Sequence, residues 1–354
     1  MATVLVVMCH ADGPILRETR SYWVRFFGDS FSFGNTSNFF LVSGYLLAKH
    51  YGENGWWKKA LRSRVSSLLV PYVGWCLVYY VLGDTLRWIH DGTPPDALVG
   101  WSACQTPVDV VSLLLHKIKT VFGLGLVTHP YDFALWYVKT LFYFILVSPF
   151  AFRWLLRSRA TFVVSVVGVL VLRAVLVEIC PRPAMEYFVF CFNLYGFAAF
   201  LCGAYCLIHS IEFPERLAKV NPVIPLILWT AVSLVDSSLS PHAQDQFLPV
   251  NVGVSVFCLI WISFAVSWTF PKALVASTFF VYGSHMLVQR VIAAIVPFQS
   301  FKAFAAIFIG SLAICFCAAL ALNKAWPWMA MVLSGGRASS SVISRNHLST
   351  RNGA

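Results

Sequence analysis

Nine stretches of predominantly apolar residues recur along the chain, near 31–48, 66–83, 133–152, 161–178, 187–209, 222–238, 247–269, 273–296 and 303–322. A helix rises about 1.5 Å per residue, so roughly 20 such residues cross about 30 Å of hydrocarbon. In that solvent each backbone N–H and C=O needs an internal partner, which a helix supplies. A tenth apolar run, VLVVMCH at the start, is too short to cross. It reads as the end of a first membrane helix, with Met1 inside that helix and its earlier turns missing. The expected fold class is therefore all-α: a polytopic integral membrane bundle of about ten transmembrane helices, the first truncated at its N-terminus.

Composition supports this solvent assignment. Hydrophobic residues make up 58% of the chain and charged residues 12%, with a mean hydropathy of +0.72, whereas soluble domains are about half apolar and a quarter charged. The opening run is not a signal peptide, because it lacks a basic n-region and is followed by RETR in place of a small-residue cleavage site. The net charge of +11 sits in short loops without interleaved aromatics, which argues against a nucleic-acid partner. Those charges set topology instead. With both termini cytoplasmic, the inner side collects Lys58, Lys59, Arg62, Arg64, Arg153, Arg157, Arg159, Arg216, Lys219, Lys272, Arg337, Arg345 and Arg351. The outer side holds fewer, although Arg17, Arg20 and Arg25 run against the rule.

Nothing divides the chain before its tail, so residues 1–333 form one membrane-embedded domain and 334–354, rich in Ser, Gly and Asn, a disordered cytoplasmic tail. The ten cysteines show no metal-ligand spacing. Cys104 and Cys180 alone fall in expected outer loops, where they could pair. Three loops stand out. The inner KHYGENGWWKKALRSRV is basic and aromatic and suits an interfacial helix over 56–65. A long outer segment, 84–132, carries His90, Trp101, His116 and His129 and reads either as a lid or as an ordinary surface loop. The third, SLSPHAQDQ, reads as a plain outer turn.

An ionisable group inside a span costs roughly 2.5–3.5 kcal/mol on insertion scales and is a functional candidate by default. The sequence offers His10, Lys139, Arg173, Glu178, His285 and Arg290. Lys139, Arg173 and Glu178 lie near span ends, where snorkelling to the headgroups is the favoured reading over a functional one. His285, nearer mid-span, suits either a structural hydrogen bond or a chemical role. A neutral imidazole is the usual base for activating a hydroxyl, and His10 has Asp12 nearby that could orient it, although a lone histidine near a helix end is more often a hydrogen-bonded bystander.

Two neighbouring stretches, FFLVSGYLLAKHY and KKALRSRVSSLLVPYVGW, resemble the acyltransferase 3 family of integral membrane acyltransferases, whose members carry an F-F-x-x-S-G-[FY]-L helix, a basic loop and L-x-x-P-Y. VLVVMCH, LWYVKTLFYF and VYGSHMLV follow the family's order of a first-helix histidine, an L-W-[FY]-[LV] helix and a late Y-x-x-H helix. The resemblance implies O-acyl transfer, commonly of acetyl from cytoplasmic acetyl-CoA, to a hydroxyl of an extracytoplasmic or membrane-associated carbohydrate at a bacterial inner (cytoplasmic) membrane. It implies no permanently bound cofactor, since acetyl-CoA or another acyl-CoA is a donor substrate, and its partners are that donor, the carbohydrate acceptor and membrane lipids. By the same resemblance His10 is the catalytic base. Arg64 is the first arginine of an R-x-x-R donor motif, helped by Arg62, Lys58 and Lys59. Ser43 and Gly44 are the S-G pair, and Trp136 and His285 belong to the later motifs, with Lys139 beside Trp136 as a further candidate.

Two departures bear on this. The second arginine of R-x-x-R is Ser67 here, and the basic residue expected eleven positions before the histidine would precede Met1. Two other readings stand beside the enzyme. One is a transporter or flippase for a glycan or lipid intermediate, and the other is a catalytically inactive relative of the acyltransferases.

Overall fold

The structure, a computed structural model, describes residues 2–11, 21–32, 35–92, 94, 99–101, 104–123, 133–179, 193–211, 219–266, 270–296 and 300–336. Among these residues every regular element is helical, with no strand. The principal helices are α1 (Ala2–His10), α2 (Asn35–Ala48), α3 (Trp56–Gly83), α4 (Pro107–Val121), α5 (Trp136–Leu155), α6 (Arg159–Ile179) and α7 (Leu194–Ile208). They continue with α8 (Val223–Ser238), α9 (Pro241–Ala265), α10 (Lys272–Ile295), α11 (Phe301–Ala325) and α12 (Pro327–Ser334). A π-helical turn, Arg25–Phe31, stands between α1 and α2.

Where their residues are described, all nine predicted windows coincide with helices. By length and composition six helices among the described residues are able to cross a membrane, and α7 and α8 are apolar but shorter. The chain is a multi-pass membrane helical bundle. Its tail from 337 onward, together with Asp12, Arg17, Arg20, His129, Cys180 and Arg216, lies outside the described residues, and with Cys180 goes any pairing with Cys104.

The expected interfacial helix proves to be the first turns of α3, which runs from Trp56 to Gly83 without a break. Two π-turns, Val65–Leu69 and Tyr79–Gly83, take up local irregularity. The first has an evident cause in Pro71, which has no N–H for the carbonyl four residues back and clashes with it. That carbonyl belongs to Ser67, and Gly335, at φ +67°, closes on it so tightly that a Cβ would lie 2.3 Å from the oxygen. The C-terminal helix α12 is thereby folded back on α3, and Trp75 Nε1 fastens it by donating to Leu333 O at 3.0 Å.

The segment 84–132 is also more than a loop. Its helix α4 opens with a capping box between Thr106 and Asp109, whose hydrogen bonds hold the Asp109 carboxyl below its ordinary range. It ends against α3, where Tyr72 donates to Phe122 O at 2.6 Å. Val108, Val111, Leu115 and Ile118 remain exposed on α4, the pattern of a face turned to lipid.

Small residues set the closest approach in the bundle, as is usual where helices associate without a hydrophobic drive. A Cβ on Gly44 of α2 would stand 2.0 Å from Phe200 O of α7, and one on Gly203 of α7 would stand 1.9 Å from Leu41 O of α2. The two backbones touch, so the S-G pair has a packing reason for its glycine.

Candidate active site

Helix α1 is only nine residues long and is held by α10 and α11, since Val7, Val281 and Cys315 are all fully buried in one cluster. Its last turn tightens, with Ala11 N donating to Met8 O at 3.2 Å. The Val7 carbonyl, which Ala11 would otherwise have used, accepts instead from Gln289 Nε2 of α10 at 2.8 Å. The end of α1 that carries His10 is therefore tied to α10 by a buried side chain.

That tie brings two imidazoles together. The rings of His10 and His285 are 5.3 Å apart between centroids, tilted by 37°, although 275 positions separate them in the chain. His285 has no exposed surface. Its Nδ1–H donates to Tyr282 O at 2.7 Å, which leaves Nε2 as the acceptor nitrogen of a neutral ring. That nitrogen is buried without a hydrogen-bond partner. Orphaned buried acceptors are uncommon, and each one calls for an explanation such as a ligand or a reacting group.

A polar and aromatic path leads away from the pair. The Tyr282 ring lies 6.1 Å from His285 and 6.2 Å from Tyr137, and the Tyr282 hydroxyl donates to Ala134 O. Tyr137 Oη and Ser43 Oγ are 3.1 Å apart, within one hydrogen bond. Phe39 and Phe40 of α2 pack at 5.3 and 4.6 Å on Tyr137, and Phe40 lies 6.2 Å from Trp136. Helices α1, α2, α5 and α10 thus bring His10, Ser43, Trp136 and His285 into one region, and Gly44 permits it by seating α2 on α7.

Lys139 and Arg173 do not snorkel. Lys139 is 8% exposed with its amine 5.8 Å from the Tyr143 ring, and Arg173 lies buried over Tyr195 at 4.3 Å. Packing within the bundle overrides their position near span ends, and cation–π contact compensates the loss of water. Glu178 is exposed and accepts from Gln246 Nε2. Arg290 is exposed as well.

The basic residues expected to hold the donor lie apart from the imidazoles, on the first turns of α3. Lys58, Lys59 and Arg62 are exposed and Arg64 half-buried. Glu53 stands 3.9 Å from the Lys59 amine and is hydrogen-bonded to His50, which holds its carboxyl below the usual range. From Arg64 to Trp75 is about 16 Å along a helix, and Trp75 is where α3 meets Gly283, two residues before His285.

Sequence reasoning passed over Tyr137, Tyr282 and Gln289. The first two stood inside quoted motifs, and Gln289 is four residues after His285, one helical turn along the same face. A polar side chain at that spacing within an apolar span is itself the signal. Gln289→Leu, which keeps the volume and removes the donor, should cost about 1–3 kcal/mol by orphaning the Val7 carbonyl. A lowered melting temperature of the detergent-solubilised protein checks this.

Comparison with protein families adds the decisive observation. The family model described as an acyltransferase domain, Acyl_transf_3, matches residues 1–322. The chain belongs to that family. The match takes in both histidines, the S-G pair and the basic start of α3, so the resemblance read from scattered motifs extends over nearly the whole chain. Comparison with curated proteins and with solved structures found no match.

Proposed function

We propose that this membrane acyltransferase moves an acyl group, acetyl from acetyl-CoA, to a hydroxyl of a carbohydrate at or beyond the cytoplasmic membrane, with His10 as general base. The observation that carries this reading is the pairing of a half-buried His10 with a fully buried, neutral His285 whose Nε2 is an acceptor without a partner. His10 takes the proton of the acceptor hydroxyl as its oxygen attacks the thioester carbonyl. The tetrahedral intermediate then collapses, the C–S bond breaks, and the departing thiolate recovers the proton from the His10 imidazolium. His285 Nε2 is placed to accept an N–H from that imidazolium and so to stabilise it while it exists. Catalytic hydrogen bonds of this kind tighten on substrate binding, here from a starting ring separation of 5.3 Å.

On the first turns of α3, Lys58, Lys59, Arg62 and Arg64 suit coenzyme A phosphates, because guanidinium and ammonium groups bind them through charge-assisted hydrogen bonds. The pantetheine arm then follows α3 toward the imidazoles. In this arrangement the basic end of the bundle is cytoplasmic and His10 faces the acceptor side.

The test is incubation of the purified protein with labelled acetyl-CoA and a panel of glycans, reading free coenzyme A and label on the sugar. Release that depends on a carbohydrate supports the reading. Translocation of a glycan without any coenzyme A release would replace the enzyme with a transporter. The double change Arg62→Ala with Arg64→Ala should raise the KM for acyl-CoA about 10- to 100-fold, as expected for lost hydrogen bonds to charged groups, and leave the KM for the acceptor unchanged. Initial-rate kinetics with each substrate varied in turn checks it.

A further inference from the structure

A second buried polar cluster lies where the Arg25–Phe31 turn, α8 and α9 meet, and acyl transfer makes no use of it. Its centre is Asp236, 4% exposed, in the last turn of α8. Asn251 of α9, 1% exposed, donates through Nδ2 to Asp236 Oδ2 at 3.0 Å and to Ser30 O at 2.9 Å. Two acceptors on one nitrogen fix the orientation of that carboxamide, so its other end is an oxygen. Ser30 Oγ sits against the carboxyl without a well-formed hydrogen bond, and Ser233 lies one turn earlier on α8.

The arrangement is electrostatically incomplete. Asp236 Oδ1, Asn251 Oδ1, Ser30 Oγ and Ser233 Oγ are all buried without a hydrogen-bond partner. Among the described residues no basic side chain pairs with Asp236, and the further charged group acting on it is another carboxylate, Asp29. Its place in the helix adds to the cost. The C-terminal end of a helix carries partial negative charge, which favours a cation and opposes an anion, and the last turn of α8 holds no basic residue. A carboxylate in a buried site, at the unfavourable end of a helix, among oxygens with spare lone pairs, calls for a positive charge.

The donor set says which one. It is all oxygen and therefore suits a hard cation. A single carboxylate with neutral carboxamide and hydroxyl oxygens balances one charge, whereas calcium sites use six to eight oxygens with several carboxylates, and magnesium retains much of its water. Membrane proteins place sodium at unwound backbone and helix C-terminal ends, and here Asp236 lies at the end of α8 beside the irregular Arg25–Phe31 turn. We propose that Asp236, Asn251, Ser30 and Ser233 form a sodium site that locks the Arg25–Phe31 turn to the α8–α9 hairpin. Phe31, stacked on Trp229 at 4.2 Å between ring centroids, gives the site an apolar wall.

The test needs no activity and so stands apart from the assignment of the reaction. Melting of the purified full chain in detergent is followed as NaCl replaces N-methylglucamine chloride at constant ionic strength. Sodium should raise the melting temperature saturably, by about 5 °C at a hundredfold excess over half-saturation, with potassium less effective. Asp236→Asn should abolish the sodium response, and Ser233→Ala should raise the half-saturating concentration about tenfold. Should Asp236→Asn fail to fold, the serine variant carries the test alone. Equal melting in sodium, potassium and N-methylglucamine, or melting that responds to pH and not to sodium, would show that a proton neutralises Asp236 and would overturn the proposal.

Discussion

His10→Ala should abolish acyl transfer almost completely while leaving the protein folded. General-base assistance by a positioned side chain is worth about 100- to 10,000-fold in rate, and the residual activity should fall by that factor. The fold should survive for a structural reason. His10 ends α1, whose hold on the bundle comes from Val7, buried against α10 and α11, and from the Gln289 hydrogen bond to the Val7 carbonyl. None of these contacts involves the imidazole. Coenzyme A release by purified variant and parent, with melting temperature and elution profile as the structural control, measures both parts. A variant that transfers acyl groups at the parent rate would remove His10 from the mechanism and leave His285 as the base to be tested.

The second large effect concerns packing. Gly203→Val should prevent the bundle from assembling, because the first carbon of any side chain would stand 1.9 Å from Leu41 O, and Gly44 opposes Phe200 O at 2.0 Å in the same contact. Overpacking typically costs 1–3 kcal/mol where side chains can shift. Here backbone opposes backbone, no rotamer relieves the clash, and about 3 kcal/mol is a lower bound. Helix α2 would separate from α7 and carry Ser43 away from Tyr137. Gly168 of α6 provides the control, since nothing lies within 4 Å of the place its Cβ would take, and Gly168→Val should give near-normal yield. Monodisperse protein recovered in detergent, compared between the two variants, is the measurement.

Much of this architecture was readable in the sequence, and the reason is the solvent. In hydrocarbon an apolar window has one way to satisfy its backbone, so helix positions follow directly from hydropathy, and even the short VLVVMCH run forms a helix seated in the bundle. The histidines were legible for the converse reason, because a titratable ring is conspicuous among apolar residues. Pair geometry was not. Periodicity places His285 on a face of α10 but says nothing of α1, and the 275 positions between the imidazoles are bridged only by packing. The same gap explains Lys139 and Arg173: their distance from a span end suggested water, while their actual surroundings are the rings of Tyr143 and Tyr195 on the same or a neighbouring helix. The Asp236 cluster was hidden differently. Asp236 falls at the predicted end of a span, where a carboxylate looks like a solvated boundary, and only the fold reveals that the Arg25–Phe31 turn and α9 cover it.

The tie between Gln289 and the Val7 carbonyl also bears on how the protein is made. Helix α1 leaves the ribosome long before the residues that seat it, which belong to α10 and α11. At about 5–20 residues per second, the nascent α1 waits roughly a quarter of a minute to a minute before Gln289 exists. Throughout that interval the imidazole of His285 has yet to be made. On the proposed mechanism, a chain whose synthesis stops before α10 lacks one imidazole of the pair and so has no acylating centre.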